Sequence, residues 1–207
     1  MSKLNWSYSD FRDSITMPPV VNTFKGEGHW GMANPERMGC AILLMKAMNA
    51  KSYMEIGVNM GHSLHYILQS VPTVKEVLAF DLCDKSTKPA WEEIKQRYSN
   101  RVKLDLICGD TLNTLNKNLK NRKFDVIHID GGHEFKYCYN DIIKSKKFAT
   151  PETLVIIDDY GKQTKDVWTH PHVNRAVHKA IDEGIIEYIA PGVCAKGSVF
   201  VKYKFTS

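Results

Sequence analysis

The stretch "SYMEIGVNMGHSLHYILQS", residues 52–70, decides how the rest of the chain is read. Its first seven residues are strand-like and run into a turn carrying Glu55, Gly57 and Gly61; its last nine place Leu64, Ile67 and Leu68 on one helical face. Strand, glycine turn and helix form the opening of a βαβ unit. The same cadence recurs downstream. "EVLAFDL" (76–82) reads as a strand and "PAWEEIKQRYS" (89–99) as a helix; "VKLDLICGD" (102–110) reads as a strand followed by helical "LNTLNKNLKN". "FDVIHID" (124–130) leads to helical "YCYNDIIKSKKFA" (137–149), and "TLVIIDD" (153–159) to "VNRAVHKAIDEG" (173–184), a helix closed by Gly184. Five such units in a row predict right-handed crossovers and a parallel sheet covered on both faces. The tail, "IIEYIA", a Pro-Gly loop and "SVFVKYK", reads as a β-hairpin. The expected fold class is α/β, a doubly wound and mostly parallel sheet ending in an antiparallel strand.

At 207 residues, with 43% hydrophobic and 25% charged residues, the composition is that of one globular domain. Residues 1–35 are set apart by their Gly, Pro and Asn content and read as an irregular arm, a lid over the crevice with His29, Trp30 and Met32. The α/β core, 36–207, begins with a helix carrying Met38, Ala41, Ile42, Met45 and Met48 at helical spacing. The net charge of +5 arises from 28 basic and 23 acidic residues scattered along the chain. The densest knot, "KSKKF" at 144–148, fits the solvated face of a helix. With no basic stripe interleaved with aromatics, and no Asn-Pro-Pro-aromatic motif after the fourth strand, nucleic acid is not an expected partner. Five cysteines without CxxC spacing suggest free thiols in a reducing compartment rather than a disulfide frame or a zinc site. The N-terminus has no apolar signal region, and the longest apolar run, "CAILLM", falls far short of the roughly 20 residues a bilayer crossing needs. A cytoplasmic protein without membrane association is expected.

Open α/β sheets bind ligands beyond the carboxyl ends of their strands. The first turn reads E-x-G-x-x-x-G, which is neither the dinucleotide fingerprint nor a phosphate loop, and no Lys or Arg lies in it. An acid there repels a pyrophosphate and suits a ligand with a cationic end. Asp81, twenty residues past Gly61, ends the second strand where an acid accepts ribose hydroxyls, and Asp110 in "CGD" ends the third. A nucleoside with a positively charged amino-acid tail fits all three positions, and S-adenosylmethionine is such a molecule. Residues 52–207 resemble the class I S-adenosylmethionine-dependent methyltransferases. The resemblance implies a Rossmann-like, seven-stranded sheet with its last strand antiparallel. It further implies a cofactor site in which Glu55, Gly57 and Gly61 surround the methionyl part with Ser63 beside them, Asp81 holds the ribose, and Asp110 lies by the adenine.

Two apolar runs, "FDVIHIDGGHEF" (124–135) and "LVIIDDY" (154–160), end in Asp130 and in Asp158 and Asp159, with no Lys or Arg within two positions of any of them. Carboxylates converging from neighbouring strand tips either raise a pKa or bind a cation, because two unit charges 4 Å apart repel by about 4 kcal/mol at an effective dielectric of 20. All-oxygen ligands favour Mg²⁺, with Mn²⁺ or Ca²⁺ as alternatives. "IDGGH", then "DDYG", a Trp and "VNRAV" resemble the metal-dependent O-methyltransferases that modify sugars on macrolides, the macrocin O-methyltransferase type. That resemblance implies a metal at Asp130, Asp158 and Asp159, with Asp130 also catalytic. The catechol and caffeoyl-coenzyme A enzymes carry Asp-Asn where this chain has Asp158-Asp159. The difference favours a sugar acceptor in a glycan or glycoside, for instance a deoxyhexose such as rhamnose, over the alternative of a phenol or catechol.

His133, three residues after Asp130, stands where the catechol-type enzymes place a catalytic lysine; it is a candidate general base, a helix cap or a brace for the metal site. His170 and His172 are rival bases on a lid loop. His128 alternates with apolar neighbours and reads as a hydrogen-bonded core residue. Tyr160 and Trp168 follow the fifth strand and are candidates for the acceptor-pocket wall. The expected partner is a small-molecule or glycan acceptor. A homo-oligomer is compatible with the family, although no segment reads as an interface.

Overall fold

The computed structural model describes residues 35–117, 119, 121–164, 168–189, 194–195 and 197–205. The arm and its expected lid role, with His29, Trp30 and Met32, lie outside the described residues. Helix α1 (Pro35–Ala47) precedes β1 (Ser52–Ile56), α2 (His62–Ser70), β2 (Glu76–Asp81), α3 (Thr87–Tyr98), β3 (Lys103–Cys108) and α4 (Thr111–Thr114). There follow β4 (Val126–Ile129), α5 (Phe135–Ser145) with a 3₁₀ turn (Lys146–Phe148), β5 (Leu154–Asp158) and α6 (Pro171–Asp182). Three strands close the chain: β6 (Ile186–Tyr188), the two-residue β7 (Cys194–Ala195) and β8 (Ser198–Tyr203).

The sheet runs in the order β3-β2-β1-β4-β5-β8-β6, with β7 paired to β8 outside this path. β1 to β5 are mutually parallel, whereas β8 lies antiparallel to β5 and to β6. This is the expected Rossmann-like sheet, doubly wound and closed by antiparallel C-terminal strands. Strand order reverses between β1 and β4, so a crevice opens at the carboxyl ends of these two neighbours.

Period-two alternation divides the core between the two faces of the sheet. Tyr53, Val77, Val126 and Ile156 pack on one side with Ile42 and Met45 of α1, Leu64 and Ile67 of α2, and Trp91 of α3. Met54, Leu78, Ile127 and Val155 pack on the other with Ile142 of α5 and with Val173 and Val177 of α6. Each large aliphatic side chain buried this way contributes about 1.5–3 kcal/mol. Both faces are therefore anchored, and the strand tips are held as rigid mounts.

Two expectations are corrected. The helix expected over 112–121 shrinks to the four residues of α4. Its asparagines favour local side-chain bonds over continued helix: Asn116 Nδ2 donates to the Leu112 carbonyl at 2.9 Å, and Asn121 takes a left-handed φ of 55°. The free-thiol expectation fails for two cysteines. Cys83 and Cys108 form a disulfide with a Cα–Cα distance of 5.3 Å, while Cys138 is a buried free thiol. The β2–β3 register sets Asp81 opposite Cys108 and so brings Cys83 within reach, a lateral proximity that spacing along the chain does not reveal. Among the described residues, no helix is long and apolar enough to cross a membrane.

Candidate active site

The loop after β1 is shaped by its backbone. Gly57 has φ +89°, and a Cβ there would lie 2.0 Å from the Asp130 carbonyl oxygen, so only glycine lets the tips of β1 and β4 close on each other. Gly61, at φ +74°, occupies the N-cap position of α2. Glu55, the fourth residue of β1, is fully buried. Its Oε1 accepts hydrogen bonds from Ser63 Oγ at 2.5 Å and Tyr53 Oη at 3.2 Å, and lies 3.3 Å from His128 Nδ1. Among the described residues, its Oε2 is buried with no hydrogen-bond partner. A buried carboxylate oxygen left unsatisfied is costly unless a ligand donor completes it.

Asp81, at the tip of β2, is engaged on both oxygens. Oδ2 accepts from the Val58 and Asn59 amides at 2.8 and 3.0 Å, and Oδ1 from the Cys83 amide at 2.7 Å and Thr87 Oγ1 at 2.6 Å. It thereby ties the glycine loop to the β2–α3 connection. Asp110 caps α4, accepting from the Leu112 amide at 2.8 Å.

On the other side of the switch point, three aspartates and two histidines meet. The Asp130 amide donates to the Ile56 carbonyl at 2.8 Å, fixing the β4 tip against β1. Ligand atoms of His128, Asp130 and Asp158 lie within 4.8 Å of one another, and so do those of Asp130, His133 and Asp159. Asp130 is common to both groups, whereas Asp158 and Asp159 fall in different ones. Asp158 accepts from Ser198 Oγ of β8. Asp159 stands at a left-handed φ of 58°, where the regular strand has ended. Its Oδ2 lies 2.9 Å from His133 Nε2, and its carbonyl accepts from the His170 amide at 2.8 Å.

The histidines differ in surroundings. His133 is half-buried, and its bond to Asp159 is the main reason its pKa rises above the ordinary imidazole value. Burial alone would push His128 down, but Glu55, through a hydrogen bond and its charge, together with Asp158 and Asp159, carries it above that value. The edge of the Trp168 indole meets the His133 ring at a centroid distance of 5.3 Å, and His170 stacks on His133 at 5.7 Å. His172 meets His170 at 5.2 Å, so Trp168 and three imidazoles line one wall beside the acids.

Residues 54–160, more than half of the chain, match the family model described as a methyltransferase domain. The chain belongs to this methyltransferase family. Solved structures agree on the fold. A candidate O-methyltransferase from Klebsiella pneumoniae superposes with a TM-score of 0.67 at 20% identity, covering 95% of each chain. The SAH-bound Podospora anserina methyltransferase PaMTH1 gives 0.66 at 16% identity, covering 84% of this chain and 80% of that one. An O-methyltransferase from Bacillus cereus in complex with SAH gives 0.61 at 15%, covering 83% and 82%. No curated protein matches the sequence.

Within this methyltransferase, the predicted residues sort into three sets. Glu55, Gly57, Gly61 and Ser63 converge on one loop, Asp81 is tied to it, and Asp110 sits at the next strand tip. Asp130, Asp158, Asp159, His133 and Trp168 gather across the switch point, but as two overlapping groups rather than one all-aspartate triad. Tyr160 goes elsewhere: its hydroxyl bonds His178 Nε2 at 3.0 Å and Tyr188 Oη at 2.8 Å, which ties it to α6 and β6. His128 is hydrogen-bonded and buried, as expected, yet it also joins the acid group, which its strand position concealed. Tyr53, Thr87 and Ser198 were missed. For Tyr53 a signal existed, because it shares a strand face with Glu55 two residues on.

Proposed function

We propose that this methyltransferase transfers the methyl group of S-adenosylmethionine to a hydroxyl oxygen, with a sugar as acceptor and a divalent cation at the strand tips. The observation that carries the reading is Asp130. It belongs to both acid–imidazole groups, and its carbonyl abuts Gly57, two residues after Glu55, whose buried Oε2 has no hydrogen-bond partner among the described residues.

The donor fits the chain's own groups. Glu55 Oε2 is an acceptor awaiting the ammonium of the methionyl part, and the glycine loop leaves backbone room for it. Asp81 holds that loop in place through the Val58 and Asn59 amides, with Asp110 flanking at the third tip. A divalent cation fits too. Oxygen ligands of a small octahedral ion, at about 2.1 Å from it, sit roughly 3 to 4.2 Å apart, comparable with the spread of each group. Asp130 would hold it together with the acid of one group, Asp158 or Asp159, and the nearby imidazoles widen the choice from Mg²⁺ toward Mn²⁺. When bound, such an ion lowers the pKa of a hydroxyl and orients its oxygen.

In the transfer itself, the carbon–sulfur bond of the donor breaks, an oxygen–carbon bond forms, and the acceptor hydroxyl loses its proton. The sulfonium is already a good leaving group, so the protein's task is in-line positioning. With His133 Nε2–H donating to Asp159, Nδ1 is the nitrogen left to take the proton, and Asp159 steadies the imidazolium that results. Trp168, 44% exposed, offers an aromatic face to the C–H face of a sugar ring.

Incubation with methyl-labelled donor, a panel of glycosides and catechols, and chelator decides the matter. The expected outcome is label in a glycoside, lost with chelator and restored by Mg²⁺ or Mn²⁺. Label entering catechols alone overturns the acceptor, and turnover indifferent to chelator overturns the ion, leaving His133 and Asp159 as an unaided base pair.

A further inference from the structure

The donor side carries a second chemical feature. The Cys83–Cys108 disulfide joins the carboxyl ends of β2 and β3, the two tips that present Asp81 and Asp110. Cys83 lies two residues past Asp81 and donates its amide to Asp81 Oδ1 at 2.7 Å. Its backbone is left-handed at φ 59°, a conformation that a residue other than Gly, Asn or Asp keeps only when its surroundings enforce it. Cys108 lies two residues before Asp110 and is solvent-exposed, whereas Cys83 is 9% exposed. The same Asp81 carboxylate grips the Val58 and Asn59 amides of the glycine loop. The disulfide is thus one bond removed from the group that sets the loop's position.

We propose that Cys83 and Cys108 form a redox-controlled staple whose closure raises the affinity of the donor site. This rests on the reading of Glu55, Asp81 and Asp110 as that site. A staple between strand tips that already pair adds little to the fold, but it fixes the 82–84 segment that no strand holds. Exposed disulfides are the labile and regulatory ones rather than the structural ones. The exposed Cys108 sulfur gives a reductant its point of entry. One thiolate of a dithiol attacks Cys108 Sγ, the Sγ–Sγ bond breaks, and Cys83 leaves as a thiolate that takes up a proton. The second thiol of the reductant then displaces Cys108. The dithiol gives up two electrons and two protons, and the two cysteines end as thiols. A disulfide-bearing oxidant reverses the sequence. With the staple open, the Cys83 amide is free to leave Asp81, and the grip on residues 58 and 59 loosens.

Two readouts on the full chain test this, calorimetric titration with SAH and amide hydrogen exchange over residues 57–59 and 81–86. Each is made on oxidised protein, on protein reduced with a dithiol, and on Cys108→Ser in both conditions; Cys40→Ser/Cys138→Ser serves as the control. Reduction is expected to weaken SAH binding by about tenfold, the scale of one lost charge-assisted hydrogen bond, and to speed exchange in both segments. Cys108→Ser is expected to behave as reduced protein whatever the conditions, and the control to keep the full redox response. Equal affinity in oxidised and reduced wild type overturns the staple while leaving the donor site intact. A redox response surviving in Cys108→Ser overturns it as well. No SAH binding in either state overturns the donor reading, and the staple's function with it.

Discussion

The two halves of the crevice are built on opposite principles. On the β1–β2–β3 side, each acid is settled among donors: Asp81 accepts four hydrogen bonds, Asp110 caps a helix, and Glu55 keeps one oxygen on Ser63, Tyr53 and His128. On the β4–β5 side, three carboxylates from two strand tips crowd together, with imidazoles for company and no Lys or Arg within two positions along the chain. The first arrangement is organised by hydrogen bonds from hydroxyls and backbone amides, with one imidazole, and leaves one buried acceptor for an organic cation. The second concentrates like charge, which is stable only if neutralised. Seen this way, the donor half is a hydrogen-bonded mould and the acid half an electrostatic socket.

If that division holds, substitutions should separate cleanly. The largest effect is expected from Asp130→Asn, which reaches both acid groups: turnover should fall by about 10³-fold, since a lost ion removes several kcal/mol of transition-state stabilisation, while SAH affinity stays near wild type in calorimetry. A loss of SAH binding equal to the loss of turnover would merge the two halves. His133→Gln comes next. Turnover should drop by about 10²-fold or more, the scale of a missing general base, with the KM for donor unchanged in steady-state assays. Glu55→Gln should act on the other half alone, weakening SAH by about tenfold and leaving cation affinity as it was.

The remaining effect, on stability and not on turnover, lies at the seam. Asp141 of α5 is fully buried, has one oxygen without a hydrogen-bond partner among the described residues, and places that oxygen 3.0 Å from where a Cβ on Gly131 would be. Burial raises its pKa from 3.8 to about 7, against hydrogen bonds from Thr111 and Asn140 that lower it. The folded state therefore holds this proton more tightly than the unfolded chain. The resulting stability is fully present below pH 3.8 and is lost as pH rises to about 7. The whole swing is on the order of 4 kcal/mol at most. Denaturant unfolding between pH 4 and 8 should show it, and Asp141→Asn should flatten that part of the profile. An unaltered profile in the variant would remove Asp141 as its source.

What the sequence disclosed, and what it withheld, follows from which distances run along the chain. Parallel strands place their carboxyl ends on one edge, so Glu55, Asp81, Asp110, Asp130 and Asp158 could be assigned to a common crevice from periodicity alone. Lateral relations were not legible. The Cys83–Cys108 pairing depends on the β2–β3 register. The entry of His128 into the acid group depends on its place opposite Glu55 across the β1–β4 pair. Local backbone conformation was hidden as well. Asp159 turns left-handed, so the next residue bonds the Gly197 carbonyl through its amide, and Tyr160 is directed to α6 and not to the acceptor side. Helix α4 stopped short because asparagine side chains compete for backbone groups, a tendency that apolar spacing does not register.

The central claim is that the crowded acids at β4 and β5 are a cation socket distinct from the donor mould. Titrating Mn²⁺ into chelator-treated protein, followed by electron paramagnetic resonance of the free ion, tests it most directly. Wild type should take up the ion with or without SAH, Asp130→Asn should fail to do so, and Glu55→Gln should bind as wild type does. Wild-type protein that leaves Mn²⁺ free in solution, or an Asp130→Asn variant that binds it undiminished, would contradict the account.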